Sequence, residues 1–174
     1  INILENSFYS RWSATSRVDL IHIPKGKEVV LGVNGEKVKI PVPEEKFILQ
    51  DGSAGTFILN FSENPDQLKI LGQSLYSLAY LLKEKPRVFV IGLGGGNDVW
   101  AAKLNGAEYI KGIELNRQIL DVHKGVLSHY SKDLLNDPNI ELIHDEGRSA
   151  LIRDTTQYDV IQMTGVDTWT SLTS

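Results

Sequence analysis

The sequence predicts an α/β protein: a parallel sheet flanked by helices, preceded by a small module of antiparallel strands. Three observations carry this. From Arg87 onward, short apolar runs at Val88–Ile91, Tyr109–Ile113, Ile140–Ile143 and Tyr158–Ile161 alternate with helical segments, and that order implies right-handed crossovers and a parallel sheet. Before about Phe61 the apolar runs are separated by turn residues, as antiparallel strands are. Between the first run of the later half and its helix lies a glycine-rich turn, Gly92-Leu93-Gly94-Gly95-Gly96. The division expected is a β module over 1–63 and a sheet domain over 64–174.

Taken in order, Arg17 to Ile23 alternates through Val18, Leu20 and Ile21 before meeting Pro24 and Gly26. Val29–Val33 runs into Asn34-Gly35, a strong short hairpin signal, and Val38–Ile40 returns from it. Pro41 and Pro43 then suit an edge or an exit. Phe47–Leu49 and Thr56–Leu59 flank a further turn at Asp51–Gly55. Asn64-Pro65 opens a helix as cap and first helical residue. Leu68, Leu71, Leu75, Leu78 and Leu82 recur at helical spacing and predict one apolar face, ended by Lys83 to Pro86. The helices between the later strands are expected at Asn97–Leu104, Arg117 to about Ser131, and Arg148–Arg153.

Composition narrows the function classes. A net charge of -4 with scattered lysines and arginines argues against a nucleic-acid partner. No apolar run approaches the ~18–20 residues that span a bilayer, and no signal-peptide pattern is present. The absence of cysteine excludes disulfides and suits a reducing compartment, so a cytoplasmic location is expected, either of the whole protein or of this domain within a longer membrane protein. The four histidines, His22, His123, His129 and His144, lack metal-ligand spacing, and no metal is expected. The chain starts on Ile1 and stops soon after its last strand-like run; both suggest a piece of something longer, with the sheet truncated at its carboxyl end.

The glycine turn carries the chemistry. Glycines permit positive φ and let a ligand approach the backbone, while the helix that follows, with Asp98 in its first turn, offers unpaired N–H groups. A dinucleotide fingerprint needs glycine or alanine at the sixth place of G-x-G-x-x-G. Asn97 or Val99 stands there, depending on the frame, so both frames fail. A P-loop needs Gly-Lys-Ser/Thr after its glycines, and none occurs. What fits is G-x-G-x-G over Gly92, Gly94 and Gly96, a form common where S-adenosylmethionine-type cofactors bind. Glu114, at the end of the next strand, can accept from both hydroxyls of a ribose; a solvated surface glutamate is the plainer alternative. After the third strand, Asp145 or Glu146 can accept from an adenine amino group, or serve only as acids at a helix start.

These residues resemble the spermidine synthase family of aminopropyltransferases, which share the class I methyltransferase fold, a Rossmann-like sheet. The likeness runs from about Leu49 to Asp167 through Leu49-Gln50-Asp51-Gly52, the glycine turn, Gly112–Leu115, Asp145–Arg148 and Tyr158–Ile161. Tyr9–Ser13 and Ser16–Asp19 are similar to a divergent bacterial branch, some members of which carry membrane segments ahead of this domain. The resemblance implies decarboxylated S-adenosylmethionine, or S-adenosylmethionine itself, as the cofactor. Gly92, Gly94, Gly96, Asp98 and Glu114 would hold it, with Asp145 or Glu146 at adenine. It also implies a small amine as substrate, with Asp167 helping to hold it and Asp51 and Gln73 near it, and a homo-oligomer as the assembly.

Two segments depart from the family pattern. Family enzymes carry an Asp-Ser-Ser-Asp-like loop after the fourth strand, whereas Thr164-Gly165-Val166-Asp167 stands here. A carboxylate is needed because an ammonium must lose its proton before it attacks, and Thr164 occupies the place of the first acid. A Tyr-His-Glu-like set is likewise replaced by Ile70-Leu71-Gly72-Gln73. Three readings follow: an aminopropyltransferase-like enzyme, a methyltransferase using S-adenosylmethionine, or a nucleoside-binding domain without catalysis.

Overall fold

The structure is a computed structural model and describes residues 6–14, 16–23, 43–63 and 65–166, together with the backbone of 29–33 and 36–40. The amino-terminal module contains β1 (Ser7–Trp12), β2 (Arg17–His22), β3 (Val29–Val33), β4 (Glu36–Ile40), β5 (Glu45–Gln50) and β6 (Ala54–Leu59). Four of these form an antiparallel sheet in the order β1-β2-β5-β6, and β3 pairs with β4 as a separate two-stranded ribbon. The β3–β4 ladder begins with Val33 opposite Glu36, as a two-residue hairpin requires; the Asn34-Gly35 turn itself lies outside the described residues.

β1 has no counterpart in the apolar pattern of the sequence. It is an edge strand whose Phe8 and Trp12 are exposed while its Tyr9 packs against the core, too short an apolar alternation to read. β2, β5 and β6 carry a readable one. Val18, Leu20, Ile48 and Ile58 are buried with Ile119, Val122, Leu127 and Tyr130 from the later half, and this shared core seats the module on the sheet domain.

The expected helix from Asn64 to Leu82 is replaced by three shorter pieces, with Asn64 outside the described residues. A 3-10 turn covers Pro65–Leu68, α1 covers Lys69–Gly72, and a second 3-10 segment covers Leu75–Leu81. The break falls at Ser74, whose Oγ donates to the Leu71 carbonyl at 2.6 Å and competes for the helical acceptor. The consequence is a change of period. At three residues per turn, positions i and i+3 align, so Leu75, Leu78 and Leu81 form one exposed edge (85%, 59% and 76% exposed) while Ser77 and Tyr80 turn inward. Leu68 and Leu71 are buried as expected; Leu75, Leu78 and Leu82 are not.

The second sheet is wholly parallel. Its strands are β7 (Arg87–Ile91), β8 (Tyr109–Glu114), β9 (Ile140–His144) and β10 (Val160–Gln162), in the order β10-β7-β8-β9. The crossovers contain α2 (Asn97–Leu104), α3 (Arg117–Lys124), α4 (Lys132–Leu135) and α5 (Gly147–Arg153). β7 alternates between two cores: Val88 and Val90 pack with Val99 and Trp100 of α2, and Phe89 packs with Ile113 and Ala150 on the other face. α3 is shorter than expected, because the chain turns at Gly125 and runs through tight turns to Ser131. That detour delivers Leu127 and Tyr130 to the β module. Among the described residues, no helix is long and apolar enough to cross a membrane.

From β7 the chain steps outward to β8 and β9, then returns to place β10 on the opposite side of β7. That reversal is the topological switch point. In open α/β sheets, ligands bind beyond the carboxyl ends of the strands at such a point.

Candidate active site

A cavity of about 530 Å³ lies at that point, within the range of small-molecule sites. Its wall comprises the glycine turn after β7, Ile113 to Leu115 at the end of β8, Glu146 and Gly147 at the start of α5, and Met163 to Val166 after β10. The β module contributes Ile48, Gln50 and Ser53 to Thr56, and Tyr76 comes from the 3-10 segment.

Gly92, Gly94 and Gly96 have φ of 84°, 48° and 82°, a region in which other residues are strained. The alternate-glycine spacing thus corresponds to alternate left-handed residues. Gly95 has a different reason to be glycine. A Cβ there would lie 1.9 Å from the Phe57 carbonyl oxygen, and the same carbonyl accepts from Asn97 Nδ2 at 3.1 Å. Gly95→Ala is therefore expected to cost about 1–3 kcal/mol of stability through overpacking. The check is denaturant unfolding, where the midpoint should fall with little change of slope; a wild-type midpoint would show that β6 yields.

Glu114 is only 6% exposed. Its Oε2 accepts the Gly94 N–H at 3.1 Å and its Oε1 accepts the Asn116 N–H at 2.8 Å. Burial raises its pKa, and the N–H groups of Asn116 and Gly94 oppose that rise. A carboxylate has about four lone-pair sites, so acceptor capacity remains on both oxygens. Asn116 also caps α3 and donates from Nδ2 to Ser16 Oγ at 2.7 Å, fastening β8 to the amino-terminal module.

Asp98 forms the other anionic centre. Only 5% exposed in the first turn of α2, it accepts at Oδ1 from Gln162 Nε2 and from Thr164 Oγ1, the latter at 2.9 Å. Gln162 also donates to the Tyr76 carbonyl at 3.0 Å and accepts from the Tyr80 hydroxyl. Among the described residues, Asp98 Oδ2 takes no hydrogen bond. Burial pushes this carboxyl up to about 6, against the two side-chain donors. Thr164, standing where an acid was expected, thus donates to an acid on α2.

The cavity wall brings together Gly92, Gly94, Asp98, Glu114 and Glu146 of the anticipated residues, with Gly96 just behind it. Glu146 is the N-cap of α5, accepting from the N–H groups of Arg148 and Ser149 at 2.9 and 2.8 Å. Asp145 lies off the wall, paired with Arg153 beside a smaller cavity. Asp51 also lies off it: its Oδ1 accepts the Arg17 N–H at 2.8 Å and ties the β5–β6 turn to the start of β2. Gln73 is exposed at the helix break, where Tyr76 reaches the cavity instead. Asp167 lies outside the described residues.

From sequence, Tyr76 and Tyr80 read as helix packing and His123 as a surface or core histidine, and Gln162 was passed over. Gln162 had a usable signal, a polar residue closing an apolar parallel strand at its carboxyl end. The others look like ordinary helix positions.

No family model matches the chain, and no curated protein matches it. Solved structures do. A spermidine synthase in complex with the transition-state analogue AdoDATO superposes with a TM-score of 0.63 at 20% identity, over 94% of this chain and 47% of that one. The chain has a spermidine synthase-like fold. The spermidine synthase from Thermotoga maritima gives the same result, with a TM-score of 0.61 at 19% identity, over 94% of this chain and 48% of that one. The chain spans about half the length of these spermidine synthases. The predicted class holds: a parallel α/β sheet with a separate antiparallel sheet before it.

Proposed function

We propose that this cavity binds an adenosyl sulfonium and that the protein is a spermidine synthase-like transferase, moving an aminopropyl group from decarboxylated S-adenosylmethionine to a small amine. One observation carries the reading. The charged side chains on the described wall are Asp98, Glu114 and Glu146, with no lysine, arginine or histidine among them. Such a wall favours a cationic ligand and disfavours phosphates. It also favours the decarboxylated cofactor over S-adenosylmethionine, whose own carboxylate would find no cation there and would be repelled by Asp98. The likeness to a spermidine synthase bound to a transition-state analogue supports the same reading.

The residues present fit such a ligand. Glu114 has lone pairs left for two ribose hydroxyls, and its orientation is set by the backbone N–H groups of Gly94 and Asn116. Glu146, the one of the two acids on the wall, would meet the adenine amino group. Bound there, the sulfonium supplies a carbon made electrophilic by positive sulfur. Asp98 would attract an ammonium and receive its proton at Oδ2, while Thr164 and Gln162 hold Oδ1 in place. The resemblance would have Asp167 help to hold the amine. Excluding water from this wall strengthens each of these contacts.

Calorimetry with decarboxylated S-adenosylmethionine, S-adenosylmethionine and methylthioadenosine tests the proposal. The decarboxylated form is expected to bind at least about 10-fold tighter than S-adenosylmethionine, a difference of roughly 1.4 kcal/mol. The reverse preference would point to methyl transfer. Binding of none of the three would overturn the nucleoside reading altogether.

A further inference from the structure

His123 is fully buried on α3, behind the glycine turn rather than on the cavity wall. Its Nε2 lies 2.8 Å from the Gly94 carbonyl oxygen and its Nδ1 lies 2.6 Å from Ser131 Oγ. A carbonyl only accepts, so Nε2 carries the hydrogen and donates it. In the neutral ring Nδ1 then accepts from the Ser131 hydroxyl. The two contacts select one tautomer.

Gly94 is therefore held at both ends. Its C=O accepts a hydrogen bond from His123 Nε2–H, and its N–H donates to Glu114 Oε2 at 3.1 Å. A left-handed glycine is the least constrained residue a chain can carry, and the two bonds remove that freedom at the point where the turn meets the carboxylate. The imidazole also backs Gly96, where a Cβ would lie 3.3 Å from His123 Cε1.

We propose that His123 is a positioning residue of this cavity, fixing the Gly94 peptide and, through it, the orientation in which Glu114 meets a nucleoside. The nucleoside part rests on the function proposed above. Burial holds the imidazole pKa down to about 4, well below its ordinary value, so the ring is a neutral strut near neutral pH. It touches neither the cavity nor a reacting atom and has no direct part in proton transfer.

The test compares wild type with His123→Phe, which keeps a ring and loses the donor, and His123→Gln, whose amide nitrogen can replace Nε2. Ring 15N NMR of the wild type should show the Nε2–H tautomer at pH 7. With the bond to the Gly94 carbonyl gone, the Gly94 N–H···Glu114 bond should open more readily, so exchange of the Gly94 amide should accelerate at least about 10-fold in His123→Phe and return toward wild type in His123→Gln. Methylthioadenosine affinity should follow the same order. An Nδ1–H tautomer, or unchanged Gly94 exchange in a folded His123→Phe, would overturn the inference. Should His123→Phe fail to fold, Ser131→Ala decides: it releases the tautomer and should speed Gly94 exchange, and no change would overturn the role. If wild type binds no nucleoside, the exchange data still judge His123, and that failure falls on the proposed function alone.

Discussion

Glu114→Ala is expected to weaken methylthioadenosine binding by at least about 100-fold. The two ribose hydroxyls would donate to a charged acceptor, and hydrogen bonds to charged groups contribute about 1.5–3 kcal/mol each. Two of them lie at or above the roughly 2.7 kcal/mol that 100-fold represents. The substitution also strips the Gly94 and Asn116 N–H groups of their acceptor, so a lower melting temperature should accompany the loss. Glu114→Gln separates charge from shape. One end of its amide would face a backbone N–H with a donor of its own, so it should bind poorly as well. Calorimetry beside a thermal melt gives both numbers. Wild-type affinity in a folded Glu114→Ala protein would refute the ribose assignment.

Asp98→Asn should lower the rate of aminopropyl transfer by about 10²–10⁴, the range typical of losing a general base, while methylthioadenosine affinity changes little. Asparagine keeps an oxygen for Gln162 and Thr164, so the network around it survives and the lost charge is isolated. The pH dependence follows from burial, which raises this carboxyl to about 6. The ionised form attracts the ammonium, so rate and affinity for the decarboxylated cofactor should rise as pH passes upward through about 6 and fall below it. Asp98→Asn should abolish that rise.

Stability carries the opposite sign. The native state holds this proton where the unfolded chain has released it, so Asp98 makes folding less favourable as pH climbs from its ordinary value of 3.8 toward about 6. Unfolding titrations of wild type and Asp98→Asn over that interval check the sign. A variant rate within about threefold of wild type would remove Asp98 from the proton-transfer role.

Much of this architecture was legible because its causes are local. The bounds of α2 match the expectation at Asn97–Leu104, since the glycine turn ends where helical spacing begins. Within the turn, the alternate glycines read from the chain, Gly92, Gly94 and Gly96, are the residues with positive φ. Where local signals compete, reading failed. Leucine spacing between Leu68 and Leu82 favours an α-helix, yet Ser74 and the inward turn of Ser77 and Tyr80 impose a three-residue period and leave Leu75 and Leu78 in water. β1 was unreadable because an edge strand with Phe8 and Trp12 in water and Tyr9 against the core shows too short an apolar alternation.

The sequence alone determined the class of fold, the glycine turn and the acid at the end of β8, because periodicity and turn chemistry act within a few residues. Only the tertiary structure decided what surrounds them. It set β10 beside β7, carried Thr164 and Gln162 to an aspartate 66 and 64 residues away, and placed a buried histidine behind Gly94. Those contacts join segments far apart in the chain, and hydrogen bonds across such distances leave no periodic trace in the residues that make them.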